Sequence, residues 1–485
     1  MSIRTLEPKA LWNHFADLNA VPRPSKKEER VIQFMIDFGK SLGLDTKTDK
    51  IGNVIIKKPA TSGMEGRETL ILQSHIDMVH QKNSDTVFDF ETQGIDMYVD
   101  GDWVKAKGTT LGADNGIGVA AIMALLSSKD IEHPALEAMF TIDEETGMTG
   151  AKELDSANFS GKILLNLDTE DDDELSIGCA GGIDTNTTYS YEEVDVKEGS
   201  VCLQVSIRGL LGGHSGMDIH LGRGNANKLL NRFLYHIHSL CDFQLISFDG
   251  GSLRNAIPRE AKAVVAINKD QVAWLKKELA NFLAVLKSEF STIEPAFSMS
   301  AVEVSNSGKA MGTNDLIKFL NTIYAVHNGV FRMSPDIDGL VEASSSLARV
   351  IVSEGKFITQ SLQRSSVESS KGDVANTIRT AFESMGCSVV QTGDYPGWAP
   401  DPNSRILTLM ADLYRKMYNA EPQIKACHAG LECGILGKHL PGVEMISFGP
   451  NIRGAHSPDE KVQISSVQKF WSYLLVTIEN TPVRQ

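Results

Sequence analysis

His75 and Asp77 lie two positions apart at the end of the stretch Leu70-Ile71-Leu72-Gln73-Ser74-His75-Ile76-Asp77-Met78-Val79. Leu70 to Leu72 is an unbroken apolar run, the pattern of a parallel strand covered on both faces. Residues i and i+2 of a strand share a face, so an imidazole and a carboxylate leave the strand end side by side. That pairing suits a metal-bound histidine whose second ring nitrogen is held by a carboxylate. Alone, it is equally compatible with a plain strand-end His–Asp hydrogen bond. Further polar groups stand beside apolar runs: Asp114 in the turn Gly112-Ala113-Asp114-Asn115-Gly116, Glu144 and Glu145 after Ala138 to Ile142, Asp168 after Ile163 to Leu167, and His456 beyond Glu444 to Phe448. Two imidazoles with several carboxylates make an N/O ligand set, for which zinc is the default and manganese or cobalt are alternatives. A carboxylate shared by two ions would give a co-catalytic pair about 3.5–4 Å apart. In Glu144-Glu145 one residue can bind metal while the other serves as base.

Each group also has a plainer use. Asp114 can cap the helix that follows it. Asp143 to Glu145 can be a solvated acidic loop, and the run Glu170-Asp171-Asp172-Asp173-Glu174 is read as one. His456 can be an exposed loop histidine. Gly116-Ile117-Gly118 lacks the Gly-Lys-Ser/Thr of a phosphate loop. Cys427 and Cys433 flank His428 at a spacing that fits no common zinc module.

The elements that must position these groups alternate. Ser25-Lys26-Lys27-Glu28 reads as a capping box before a helix with Val31, Ile32, Met35, Ile36 and Phe38 at helical spacing. Gly52-Asn53 turns into the strand Val54 to Ile56, and an apolar helix spans 117–126. This alternation predicts an α/β fold with helices on both faces of the sheet, and sites in such sheets gather at the carboxyl ends of strands. After Gly181-Gly182 the texture changes to strand-like runs such as Val201 to Ile207 and Ala261 to Ile267. The expected organisation is a catalytic domain at 1–183 and 396–485 with an inserted α+β lid at 184–395. The stretch Gly393 to Pro402 would be the return linker. No internal repeat is visible in the sequence.

The chain has 485 residues, 42% of them hydrophobic, enough for about three domains or fewer. Its net charge of −15 gives no electrostatic footprint for nucleic acid. The first residues lack the apolar core of a signal peptide, and the longest apolar run, Ile117 to Leu126, is too short to span a bilayer. Six scattered cysteines without a Cys-x-x-Cys pair read as reduced thiols of a cytoplasmic protein.

Taken together, Ser74 to Val79, Gly112 to Gly116, Asp143-Glu144-Glu145-Thr146-Gly147, Asn166-Leu167-Asp168 and Gly454-Ala455-His456-Ser457 resemble the five motifs of the di-zinc aminoacylase/carboxypeptidase superfamily. Gly213-His214-Ser215-Gly216 resembles its lid motif. The similarity runs from Val21-Pro22-Arg23-Pro24-Ser25 to the C-terminal helix and departs at no ligand position. What the resemblance implies is a catalytic domain with a mixed, mostly parallel sheet and a lid. It implies two Zn²⁺ per chain, with Co²⁺ or Mn²⁺ as substitutes: His75 and Asp168 on one ion, Glu145 and His456 on the other, and Asp114 bridging. Asp77 would orient His75, Glu144 would be the general base, and a cis peptide would join Asp114 to Asn115. His214 would stabilise the oxyanion, while Asn255 and Arg364 would hold the substrate backbone and its C-terminal carboxylate. The implied activity is hydrolysis of dipeptides, Xaa-His such as β-Ala-His among them. An aminoacylase, a tripeptidase, a non-catalytic metal-dependent peptide binder and a structural protein that keeps only the fold are the alternatives. A homodimer remains open as well. Relatives with a short lid take the lid histidine from a partner subunit, whereas a lid of two similar halves would supply His214 from the same chain.

Overall fold

The apolar run before His75 forms the strand Leu70–His75, buried at every position. It pairs in parallel with Leu136–Thr141 on one side and Ile163–Asn166 on the other. Ile163–Asn166 pairs in parallel with Glu444–Ser447. These four strands are the centre of an eight-stranded mixed sheet, with Val54–Lys58 and Asp45–Thr48 added antiparallel at one edge. Parallel strands deliver their carboxyl ends to one side of a sheet. His75, the loop bearing Glu144 and Glu145, Asp168 and the loop leading to His456 all start from that side. The computed structural model describes residues 2–305 and 308–484.

The helix Ala113–Ser127 packs on Leu70–His75 and on the helix Lys9–Asn19, and almost all of its residues are buried. Its small residues permit that approach: a side chain at Gly118 would meet Ser74 Oγ at 2.5 Å and the Leu167 carbonyl at 2.7 Å. The helix begins earlier than the expected residue 117. Asp114 and Asn115 are non-helical within its first turn, and the peptide between them is cis. The capping box at Ser25 does not form. The helix is Glu29–Ser41 with no side-chain cap, and Ser25 Oγ donates instead to Asp77 Oδ2 at 2.7 Å. A buried carboxylate with acceptors to fill outcompetes the helix end for that hydroxyl.

The chain divides into two compact units. The first contains the residues up to Gly178, Trp398–Ala426 and the chain from Leu431 onward, and so holds the sheet just described. The second contains Cys179–Gly397 together with Cys427–Gly430. It is built on a nine-stranded antiparallel sheet, eight strands of which form two halves while Gly329–Met333 adds against Val341–Ser353. One half runs strand Ser200–Arg208, helix Ala226–His238, strands Phe243–Gly250 and Ala261–Asn268, helix Val272–Glu289, strand Ser298–Val304. The other runs strand Gly181–Ser190, helix Thr313–Ala325, strands Val341–Ser353 and Lys356–Ser365, helix Glu368–Met385, strand Ser388–Tyr395. In both, the strands lie in the spatial order last, first, third, second. The second strands of the halves meet antiparallel, Phe248–Gly250 against Val350–Val352. Phe248, Phe319, Phe357 and Phe382 belong to one shared core. The two similar halves thus exist as a repeated topology without a visible sequence repeat. Among the described residues, no helix is long and apolar enough to cross a membrane, and the six cysteines form no disulfide.

Candidate metal centre

Three ligand groups overlap at the carboxyl side of the parallel strands: His75 with Asp114 and Asp168, Asp114 with Glu145 and His456, and His75 with Glu144 and Glu145. Within each, the ligand atoms lie within 4.8 Å of one another. Asp114 is shared by the first two. Its Oδ1 lies 3.1 Å from His75 Nε2 and its Oδ2 lies 3.3 Å from His456 Nε2. Glu145 Oε2 completes the His456 side at 3.0 Å, and Asp168 Oδ1 completes the His75 side at 3.5 Å. One carboxylate therefore faces two imidazoles, each backed by another carboxylate.

The donor set fits a pair of cations. Glu145 Oε1 and Asp168 Oδ1 are buried with no hydrogen-bond partner, although the His75 ring lies 3.5 Å from the latter. Buried carboxylate oxygens left in that state need a cation or water. The field of the cluster acts on its own histidines. Hydrogen bonds to Asp114 and Glu145 push His456 up to about 11. Burial opposes a charge on His75, but Asp168, Asp114 and Asp77 outweigh it and raise its pKa well above the ordinary value. Where protons are held so firmly, a divalent ion is favoured by the same charges. Burial, with Asp168, Glu432 and Glu145 nearby, raises Glu144 well above the usual carboxylate range, against the opposing pull of His75.

Behind the ligands, the fully buried Asp77 ties two segments together. Its Oδ1 lies 3.3 Å from His75 Nδ1 and accepts from the Glu144 N–H at 3.1 Å, and its Oδ2 accepts from Ser25 Oγ and from the Glu145 N–H at 3.3 Å. Asp143, next in the same loop, has φ 55° and is fastened by Lys26, Thr146 and Thr149. His456 also adopts a left-handed backbone, φ 63°.

The second unit holds its own polar cluster. His214 Nδ1 accepts the backbone N–H groups of Met217 at 2.9 Å and Gly216 at 3.2 Å. Burial and the Arg364 charge lower its pKa, so the neutral ring carries its proton on Nε2. Asn255 is exposed, and its carbonyl accepts from the Ser215 N–H at 2.8 Å. Arg364 is buried rather than lying on the surface. It donates to the Tyr395 hydroxyl at 2.8 Å, and its Nε has no protein partner. His428 is buried there too, 2.7 Å from Ser344 Oγ, and burial, with the Arg364 charge nearby, holds it down to about 3.

Four residues near these groups escape sequence reasoning. Arg23 is buried and donates to the Ile76, Asp77 and Gly112 carbonyls. Glu460 is buried and accepts backbone N–H groups around Asp114. Glu432 is buried, accepts from Gln73 and Thr141, and is pushed up to about 8 by burial. Glu170 belongs to the run read as solvated, yet burial and the charges of Asp114 and Asp168 raise it to about 8. Nothing in the residue types marks the first three. Glu170 follows Asp168 by two positions, which was the available signal.

The model of Peptidase family M20/M25/M40 matches residues 71–480. The chain is 41% identical over 479 residues to the cytosol non-specific dipeptidase of Escherichia coli (strain K12), covering 99% of each chain. Its structure is similar to the crystal structure of aminoacylhistidine dipeptidase from Vibrio alginolyticus, with a TM-score of 0.96, 43% identity, and coverage of 100% of this chain and 99% of that one. Aminopeptidase PepT of Bacillus cereus, 16% identical with a TM-score of 0.56 and 98% of each chain covered, shares the fold.

Proposed function

The chain belongs to the peptidase family M20/M25/M40 and is a peptide hydrolase, and on that premise we propose a cytoplasmic, zinc-dependent dipeptidase of broad specificity that accepts Xaa-His substrates such as β-Ala-His. The names of the relatives from Escherichia coli and Vibrio alginolyticus support the substrate class, and the first of them supports the compartment. The observation that carries the reading is Asp114, whose two oxygens face different imidazoles. In this reading His75 and Asp168 would hold one ion, Glu145 and His456 the other, and Asp114 would serve both. When bound, the ion pair acidifies the attacking water and polarises the scissile carbonyl.

The remaining work falls to side chains. Glu144 accepts the water proton on its carboxylate and passes it to the nitrogen of the leaving amine. Its raised pKa lies on the side that favours such an exchange near neutral pH. The adjacent N–H of Glu144 is bound by Asp77, which fixes the loop without occupying the carboxylate. His214 would be the oxyanion donor, and in support its Nδ1 is taken by two backbone donors, which leaves the proton on Nε2. Arg364, whose Nε is unpartnered, would take the substrate carboxylate, and Asn255 would hold the substrate backbone.

A carboxylate anchor measures substrate length. Hydrolysis of Ala-His, Ala-His amide and Ala-Ala-His under identical zinc tests this. The amide loses the ionic partner of Arg364, a loss of about 2–5 kcal/mol for a desolvated pair, or about 30- to 5000-fold in kcat/KM. The tripeptide should be cleaved poorly. Equal kcat/KM for all three would replace the dipeptidase with a broader aminopeptidase.

A further inference from the structure

We propose that Glu460 is the positioning residue that holds the bridging Asp114 against His456 and thereby sets the affinity of the second metal position. The inference rests on the two-ion reading above. The helix Ala113–Ser127 receives no side-chain cap from its own neighbours, and Gly112 before it has φ 70°. The first N–H groups of a helix have no intrahelical partner and need an acceptor. Here one distant carboxylate takes them. Glu460 Oε2 accepts from Leu111 at 2.7 Å and Gly112 at 2.9 Å, and Oε1 accepts from Ala113 at 2.7 Å and Asp114 at 3.2 Å. With both oxygens occupied by backbone donors, Glu460 is not itself a ligand. Its charge also suits the positive end of the helix dipole.

Glu460 stands four residues after His456, closed into a turn by its N–H on the Ser457 carbonyl at 3.1 Å. The next residues, Lys461–Gln463, pair with the strand Trp103–Ala106, which anchors the segment. One side chain thus joins the segment of Asp114 to the segment of His456. Arg23 completes the clamp from the opposite side of the same peptide. Its Nη2 donates to the Gly112 carbonyl at 2.6 Å, and its Nη1 donates to Asp77 O at 2.9 Å and Ile76 O at 3.2 Å. A Cβ at Gly112 would meet Arg23 Nη2 at 2.6 Å, so the glycine is required by the fit. Glu460 therefore sets the separation between the backbone of Asp114 and the segment that carries His456.

Glu460→Gln leaves one acceptor oxygen and turns an amide donor toward two N–H groups. Residues behind metal ligands typically contribute 10–100-fold in affinity, and that is the expected weakening of the second zinc in Glu460→Gln, read by competition with a chromophoric chelator. Glu137→Gln is the structural control. Glu137 is also a buried carboxylate that accepts backbone N–H groups, those of Ser160 and Gly161, but it lies toward the opposite end of its strand. Both variants should lower the melting temperature of the chelator-stripped protein, while only Glu460→Gln weakens zinc. Glu460→Asp keeps both oxygens on a shorter arm and should fall between Gln and wild type. Wild-type zinc affinity in Glu460→Gln, or equal weakening in Glu137→Gln, overturns the proposal. If the Gln variant does not fold, an unchanged second-zinc affinity in Glu460→Asp overturns it. A wild-type protein that binds fewer than two ions removes the two-ion reading instead, and this proposal with it.

Discussion

Replacing Asp77 with Asn tests how far the site depends on groups that never touch the substrate. The change is isosteric and the residue is fully buried, so nothing is gained by relaxation into solvent. Asn can place its carbonyl where Oδ1 now faces His75 Nδ1 and the Glu144 N–H, and Ser25 can rotate its hydroxyl to accept. The amide nitrogen then confronts the Glu145 N–H, donor against donor. The opposite flip is worse, since it sets the amide against His75 Nδ1 and forces the ring proton onto the ligand nitrogen Nε2. At least one hydrogen bond to a charged group is lost, about 1.5–3 kcal/mol, or about 10- to 150-fold. The lost negative charge also makes His75 a poorer ligand. Zinc affinity by chelator competition, with kcat and KM measured at saturating zinc, should show weakened metal at His75 and a reduced kcat with KM little changed. Wild-type zinc affinity together with wild-type kcat would refute the idea that Asp77 orients His75 and the Glu144-Glu145 loop.

Glu144→Gln should keep its zinc and its melting temperature while losing about 10²–10⁴-fold in kcat, the usual contribution of a general base; near-normal turnover would place the base elsewhere, and zinc loss would make Glu144 a ligand. A pH effect is expected from His428, which burial holds down to about 3 against 6.5 for an ordinary histidine. Between those values the unfolded chain binds a proton that the folded one refuses. Its contribution to stability is therefore complete above pH 6.5 and falls with decreasing pH, by up to about 1.4 kcal/mol per pH unit. Urea unfolding at pH 6.5 and 5 should show a shallower loss in His428→Asn, whereas an identical slope would mean that His428 is protonated in the folded protein.

Much of the first unit is legible because strand periodicity and apolar runs report directly on local geometry. Leu70 to Leu72 gives a buried parallel strand, and the two-residue step from His75 to Asp77 puts both on one side of it. The order of such strands then brings Asp114, Glu145, Asp168 and His456 together, which no local pattern alone would show. What stays hidden depends on long-range pairing. Glu460 lies 346 residues from Asp114, and in Ser457-Pro458-Asp459-Glu460 it looks like any loop acid. Nothing local in Gln363-Arg364-Ser365-Ser366 marks Arg364 as buried, because its burial comes from strand pairing. Ser25 has the spacing of a cap but finds a stronger partner in Asp77. The halves of the second unit share strand order without sharing residues, because many apolar patterns satisfy one topology.

On the proposed reading Asp114 would bridge a pair of ions. Anomalous diffraction at the zinc edge from zinc-loaded crystals tests it most directly. Two peaks about 3.5–4 Å apart are expected, one beside His75 and Asp168, the other beside Glu145 and His456, with an Asp114 oxygen on each. A single peak, or a zinc held by His75, Glu144 and Glu145 without Asp114, would contradict it.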